Sequence, residues 1–307
     1  MSNREHRSSQ RTSPASPQLH SSDDRFTSVP GVGRANELSD EPNTVQQPPF
    51  LSVVLPAYNE ARSIKSTLST VDTFAAKVCE DYEIIVIDDG SDDATREAVY
   101  EVMDDVPSVR IVRNDENHGK GHAVRDGCLT ATGRYVLFMD ADGDLMPKRT
   151  AAFVERAEVT GADVVIGSKR HPESDVSYPL KRRVLSTGYS ALIRALFGLH
   201  VTDTQVGMKL LTREAVDDVM PLLREERYAF DVELLALLHR RGYTIAEAPV
   251  SLDFDGDSSI DWSEVCRIGL DTLAVFCRLK RRQFSEKLDH GISYVQRRVP
   301  TYREGHR

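Results

Sequence analysis

Tyr135-Val136-Leu137-Phe138-Met139-Asp140-Ala141-Asp142-Gly143-Asp144 decides how this chain folds. An unbroken apolar run gives way to carboxylates at alternate positions, the pattern of a strand buried on both faces that delivers acidic side chains at its exit edge. Such a cluster suits a divalent cation. Hard ions such as Mg²⁺ take oxygen ligands, commonly one or two carboxylates plus phosphate oxygens, so the cluster points to a phosphorylated ligand. A second reading stands beside this one: small and acidic residues also build turns, and the stretch then only ends a strand.

Upstream, Glu83-Ile84-Ile85-Val86-Ile87 is another apolar strand, ending in Asp88-Asp89-Gly90-Ser91, where Ser91 is placed to cap a helix from Asp92 to about Met103. Leu51-Ser52-Val53-Val54-Leu55 is a strand that Pro56 stops, with a helix from Asn59-Glu60 through Ala76. Val109 to Val112 makes a short strand, and Asn117-His118-Gly119-Lys120-Gly121 turns into a helix through Ala131. Downstream, Val164 to Lys169 is a strand ending in polar residues, followed by a basic loop and an apolar-striped helix near Arg183 to Phe197. A strand is expected within Asp203 to Leu211 and a helix over Asp231 to Arg241. Alternating strands and helices, with strands apolar throughout, predict an α/β fold: a Rossmann-like, mostly parallel sheet with helices on both faces. Ligands bind at the carboxyl ends of such strands. The polar clusters at Pro56–Glu60, Asp88–Asp92 and Asp140–Asp144 are therefore expected to converge.

The chain has 307 residues, 40% of them hydrophobic, enough for a sizeable core. Its net charge of −9 argues against a nucleic-acid binder, so any basic site for an anion must be concentrated. Four cysteines without a CxxC pair suggest neither a zinc site nor a disulfide framework. His118 and His122, four apart, lack a third metal ligand nearby and are read as surface or core residues. Residues 1–49 are rich in Ser, Pro, Gln, Asn and charge and are expected to be a disordered tail. The folded domain is expected over 50–260, followed by a C-terminal amphipathic helical segment over 261–307. In that segment Leu270, Leu273, Ala274, Phe276 and Cys277 lie beside Arg278, Lys280, Arg281 and Arg282, which suits a helix on an anionic membrane surface or one docked on the protein. No apolar run reaches the roughly 18 residues of a membrane span, and no secretory signal is visible. The expected location is cytoplasmic, peripheral at the cytosolic face of a membrane.

These residues resemble the inverting glycosyltransferase family 2, whose fold is GT-A. Val53-Val54-Leu55-Pro56-Ala57-Tyr58-Asn59-Glu60, Ile84 to Ser91, and Asp140-Ala141-Asp142 stand in that family's order and spacing. Asp203-Thr204-Gln205-Val206-Gly207-Met208-Lys209-Leu210-Leu211 and Arg227-Tyr228-Ala229-Phe230-Asp231-Val232-Glu233 narrow the likeness to the polyprenyl-phosphate hexose synthases. Among these the chain is most similar to the dolichyl-phosphate β-glucosyltransferases; the mannose synthases match nearly as well in the first half. The resemblance implies transfer of a hexose, glucose from UDP-glucose ahead of mannose from GDP-mannose, to dolichyl or polyprenyl phosphate, with Mg²⁺ or Mn²⁺ as cofactor.

The resemblance also implies roles. Pro56, Ala57, Tyr58, Glu60 and Asp89 surround base and ribose, with Asp89 accepting from a uracil or guanine N–H; equally, Pro56 ends a strand, Tyr58 packs and Asp89 shapes a turn. Asp140 and Asp142 sit by the metal-bound diphosphate, and Asp144 is a third metal ligand or a carboxylate at a helix start. The loop at Gly119-Lys120-Gly121 brings backbone to a phosphate with Lys120 adding charge, or is an ordinary turn. Lys169, Arg182 and Ser186 match positions that hold the acceptor phosphate; Arg182 and Ser186 share a helix face, and Lys169 stands where Arg is usual, keeping charge without the bidentate fork. A solvated basic face is the plainer reading. Asp140, Asp142 and Arg182 are thus the candidate catalytic residues. Asp231 contacts sugar hydroxyls or merely begins a helix. No QxxRW motif is present, which argues against a processive polymerase. A catalytically silent nucleotide-sugar sensor is the alternative from another class, and the intact aspartates and basic loop argue against it.

Overall fold

The isoleucine- and valine-rich runs become the middle of a sheet because β-branched side chains pack well on a pleat and are covered here on both sides. In the computed structural model, residues 47–143, 147–176, 180–252 and 267–283 are described, the side chains of 180–184 excepted. β1 (Leu51–Ala57) leads through α1 (Ile64–Val78) to β2 (Tyr82–Asp89), and α2 (Thr95–Met103) leads to β3 (Val109–Asn114). α3 (Lys120–Thr130) precedes the acidic strand β4 (Tyr135–Met139), and α4 (Thr150–Thr160) precedes β5 (Val164–Ser168). The second half carries β6 (Asp175–Val176), the long α5 (Leu180–Phe197), β7 (Met208–Thr212) and α6 (Arg213–Val219). α7 (Phe230–Arg241), β8 (Ile245–Pro249) and β9 (Ser251–Leu252) follow, and a last helix, α8, spans 267–283.

Seven strands form one sheet in the order β3-β2-β1-β4-β7-β5-β8, while β6 and β9 make a separate parallel pair. β7 runs antiparallel to both β4 and β5, and the remaining neighbours of the large sheet are parallel. The two-residue period sorts the strands cleanly. Val54, Ile85, Ile87, Val136 and Phe138 enter one core with α3, α6 and α7, whereas Val53, Leu55, Ile84, Val86, Leu137 and Met139 enter the other with α1, α2 and α4. Each such side chain, fully buried, contributes about 1.5–3 kcal/mol, which fixes strand register and so the height at which each polar strand end emerges.

Some expectations are corrected. Pro56 does not stop β1, which continues to Ala57; beyond Val54 the strand pairs only with β2, so the missing proline N–H is tolerated there. Ser91 does not cap α2. Its Oγ accepts from Asn59 N, at 3.0 Å, while the helix starts later, at Thr95, whose N and Oγ1 donate to Asp93. The first helix likewise begins at Ile64, because Asn59 takes a left-handed φ of 58° and holds the Asp92 N–H on its Oδ1, making a loop between β1 and α1. β8 escapes an apolar-strand reading because Glu247 and Pro249 interrupt it at the sheet edge, where both are allowed. Of the expected tail over 1–49, residues 1–46 lie outside the described residues; the expected helical segment over 261–307 is helical over its described part, 267–283.

Candidate active site

From β1 the sheet grows through β2 to β3 on one side and through β4 on the other, so chain direction of growth reverses between β1 and β4. The crevice above such a switch point is where open α/β sheets bind ligands. A cleft of about 620 Å³ lies there, lined by Pro56, Ala57, Tyr58 and Glu60 from the end of β1, Asp89 from β2, and Asp140 and Asp142 beyond β4. Lys120 closes one side, and Arg227, Tyr228, Arg267 and Asp271 complete the wall. The convergence expected from sequence is realised. Asp144 lies outside the described residues.

Asp140 is placed by neighbours on three sides. Thr67 Oγ1 on α1 donates to the carbonyl of Ala141, at 3.0 Å, fixing the backbone between the two aspartates. β7 pairs Met208 with Met139, so Gly207 falls beside Asp140, and a Cβ at Gly207 would lie 2.0 Å from Asp140 Oδ2. Only glycine fits. On the open side Lys120 Nζ forms an ion pair with Asp140 Oδ1, yet that buried oxygen has no partner in hydrogen-bonding geometry. Burial alone would lower the Lys120 pKa, but Asp140, Asp231 and Asp142 outweigh it and hold the ammonium above its usual value. An under-satisfied carboxylate oxygen beside a second carboxylate fits a divalent cation. Among the described residues no group of three or more His, Cys, Asp or Glu could hold a metal ion; a hard cation on these two carboxylates takes further oxygen ligands.

Asp89 is buried and heavily engaged: its carboxylate accepts from Gly119 N at 2.8 Å, His118 N at 3.3 Å and Asn114 Nδ2 at 2.8 Å. It ties the loop before α3 to the end of β2 as well as lining the cleft. The glycines of that loop serve protein contacts rather than an open phosphate cradle. Gly119 has φ 102°, and Cβ atoms at Gly119 and Gly121 would lie 2.5 Å from the carbonyl oxygens of Glu226 and Glu225. Gly121 N donates to Glu226 O at 2.8 Å, so Lys120 stands on a backbone clamped to the segment before α7. His118 lines the cleft and stacks on His122, ring centroids 4.5 Å apart.

Beneath the cleft, Asp231 and Lys209 are both buried and paired at 2.5 Å. Burial pushes the Asp231 carboxyl up, against the opposing pull of Lys209 and Lys120. Lys209 Nζ also donates to Val206 O, at 2.6 Å, and so braces the turn that carries Gly207 against Asp140. Asp231 is not among the cleft-lining residues. Glu233, also buried, accepts from Arg224 N and Glu225 N and from Arg278 Nε at 3.1 Å. Arg278, read from sequence as part of a basic helix end, thus turns inward and fastens α8 to the 225–226 segment.

The residues expected from sequence to hold an acceptor phosphate lie elsewhere, around the end of β5 and α5. Arg170 reaches α5: its guanidinium is 3.4 Å from Ser186 Oγ and 2.9 Å from Thr187 Oγ1. Lys169 lies 3.8 Å from Asp203. Arg182 is on α5, one turn before Ser186; its side chain is outside the described set. Gly207 and Lys209, which sequence offers only as members of a motif, take on their significance when β7 pairs with β4, and Arg170 of the basic loop takes on its own when that loop folds onto α5. Helix α8 shows Leu270, Leu273, Ala274 and Cys277 to solvent, while Val275 and Leu279 are buried and Phe276 packs edge-on to Phe197. Among the described residues no helix is long and apolar enough to cross a membrane.

A mostly parallel sheet with an aspartate pair at its switch point and a cleft of nucleotide-sugar size defines the GT-A class of glycosyltransferases. Solved structures agree on the fold. Glucosyl-3-phosphoglycerate synthase from Mycobacterium tuberculosis, in complex with Mn²⁺, uridine-diphosphate and glucosyl-3-phosphoglycerate, superposes with a TM-score of 0.54 at 21% identity, covering 74% of this chain and 78% of that one. The model of glycosyl transferase family 2 matches residues 52–220, and the chain belongs to that family. It is 34% identical to the dolichyl-phosphate beta-glucosyltransferase of Dictyostelium discoideum over 240 residues, 74% of this chain and 73% of that protein. The Drosophila melanogaster protein of the same name is 34% identical over 243 residues, 74% of each chain.

Proposed function

We propose that this protein transfers glucose from UDP-glucose to dolichyl or another polyprenyl phosphate with inversion, supplying a lipid-linked sugar for glycosylation. The observation that carries the reading is the meeting of Asp140 and Asp142 with Pro56, Ala57, Tyr58, Glu60, Asp89 and Lys120 in one cleft at the β1/β4 switch point. The names of the relatives favour glucose over mannose as the sugar.

Asp140 and Asp142, with Asp144 as a candidate third ligand, would hold Mg²⁺ or Mn²⁺, which supplies charge neutralisation on the departing diphosphate. Pro56, Ala57 and the part-exposed Tyr58 offer surface to base and ribose, and Asp89 has acceptor capacity for a base N–H beyond the bonds it already takes. Lys120 and Arg227 bring positive charge to the diphosphate side of the cleft. A phosphate acceptor is already anionic near neutral pH, so its oxygen needs orientation more than a general base. Arg170 with Ser186 provides that orientation, Arg182 and Lys169 adding charge along the same approach. Asp231 acts from below, holding Lys209 and through it the Gly207 turn, rather than on the sugar directly. The catalytic domain spans 50–260. Helix α8, with exposed Leu270 and Leu273 beside Lys280 and Arg281, brings the cleft to an anionic lipid surface at the cytosolic side.

The test uses purified full chain, Mn²⁺, short-chain dolichyl phosphate and radiolabelled UDP-glucose or GDP-mannose, with label counted in the organic phase. Label from UDP-glucose supports the proposal. Label from GDP-mannose alone moves the chain to mannose transfer, and nucleotide binding without turnover on any lipid phosphate overturns the enzyme reading.

A further inference from the structure

Asp140 is paired with a cation of the protein itself. Lys120 Nζ pairs with Asp140 Oδ1, the oxygen that otherwise has no hydrogen-bond partner. The lysine's backbone is fixed by the contacts of Gly119 and Gly121 with Glu225 and Glu226, so its flexible stem alone is free to swing the ammonium. Its side chain is 28% exposed, on the side of the open cleft, so room for that swing exists. An ammonium and a divalent ion on one carboxylate oxygen repel each other strongly, and the two occupancies exclude one another.

We propose that Lys120 is a place-holding cation: it neutralises Asp140 while the cleft is empty, yields Asp140 to the divalent ion, and turns to the diphosphate of the incoming donor. This rests on the reading of Asp140 and Asp142 as the metal site. A vacant cleft then disfavours metal, because the ion must displace a paired ammonium whose other neighbouring carboxylates are taken, Asp142 by the same ion and Asp231 by Lys209. Once a diphosphate is present the displaced ammonium has a partner, so ion and nucleotide strengthen each other's binding. Linkage makes that enhancement reciprocal. Direct ligation of the ion by phosphate oxygens contributes to the same enhancement in any such enzyme; the lysine adds a separate part that one substitution removes.

Mn²⁺ binding to the full chain is measured by the electron paramagnetic resonance signal of free Mn²⁺, with and without saturating UDP, for wild type and Lys120→Met. Without UDP the variant is expected to bind Mn²⁺ about five- to tenfold more tightly, since a partly buried competing ion pair is gone. With UDP it is expected to bind Mn²⁺ more weakly than wild type, by a similar factor. The reversal of sign is the signature. Lys120→Gln, which keeps a donor for Asp140 without the charge, is expected to reverse in the same way and covers the case in which the methionine variant fails to fold. Unchanged or weaker binding without UDP overturns the proposal, as does tighter binding under both conditions, which would mean that the ammonium stays on Asp140 throughout. Asp140→Asn separates the two levels of the argument. If it leaves Mn²⁺ binding intact, the metal assignment itself fails; if it abolishes binding while the lysine variants show no reversal, only the place-holding role fails.

Discussion

The cleft and the basic cluster proposed to receive the acceptor are built differently. The donor wall comes from the ends of β1, β2 and β4, strands buried on both faces, and its side chains are held by backbone: Asp89 by the amides of residues 118 and 119, Asp140 by the Gly207 turn and the Thr67 bond to Ala141. The proposed acceptor wall comes instead from a loop after β5 and the flank of α5, where Arg170 meets Ser186 and Thr187 side chain to side chain. A wall fixed by backbone is ready before its ligand arrives and suits a transition state that needs preorganised charge. A wall of long side chains adapts, which suits a phosphate carried on a lipid presented from outside. Substitutions should therefore act on kcat at the first wall and on acceptor KM at the second.

The largest expected effect tests the first half of that statement. Asp142→Ala should lower kcat by at least about a thousandfold with little change in thermal midpoint, because it removes charge that stabilises the leaving diphosphate and touches no core packing. Turnover within tenfold of wild type would detach Asp142 from the chemistry. Next comes the pair beneath the wall. Asp231→Asn leaves Lys209 buried without its counter-ion and is expected to destabilise the fold by about 3–5 kcal/mol, read from urea unfolding. If the pair only stabilises, the combined Lys209→Met and Asp231→Leu protein, with its charges gone, regains both stability and activity. If Lys209 also holds the Gly207 turn against Asp140, stability returns but the Mn²⁺ requirement for activity stays raised.

Arg170→Ala probes the second wall. Loss of a charge-assisted contact to the acceptor phosphate should raise KM for polyprenyl phosphate about tenfold, leaving KM for UDP-glucose unchanged. Equal shifts in both constants would merge the two walls into one site.

The same contrast explains what sequence could and could not reveal. Leu51–Ala57, Tyr82–Asp89 and Tyr135–Met139 are legible because strands buried on both faces are apolar without interruption, and the polar residues that follow each of them stand out. Tyr58, Glu60, Asp89, Asp140 and Asp142 at these strand ends line the cleft. Gly207 and Lys209 were invisible as site residues because their meaning depends on β7 lying antiparallel beside β4, a long-range pairing with no local signature. The contact of Arg170 with Ser186 and Thr187 has no signature in sequence, because the side of the loop on which it emerges is set by how that loop meets α5. Arg278 looked like one more cation of a basic helix end; only the fold shows Glu225 and Glu233 waiting for it.

The smallest effect concerns the donor wall's foundation, at the opposite rim of the sheet. Glu83, at the start of β2, accepts from Ser52 Oγ at 2.6 Å, Thr132 N and Oγ1 at 2.8 Å each, and Arg110 Nη2 at 2.8 Å, joining β1, β2, β3 and the start of β4. Burial alone would raise its pKa, but these donors outweigh it and hold the carboxyl below its ordinary 4.5. A carboxylate whose pKa is depressed by folding stabilises the native state above its unfolded pKa, and that contribution is lost as pH falls through the depressed folded value. Glu83→Gln should therefore cost about 1 kcal/mol at pH 7. The difference from wild type should shrink as the medium is acidified below the ordinary glutamate value, with KM for UDP-glucose unaltered throughout. Urea midpoints of both proteins across that range check the sign. A gap that widened on acidification would mean that the neutral acid, not the carboxylate, is the form these strands bind, and a changed KM would show that the donor wall is less firmly set by the sheet than its backbone contacts indicate.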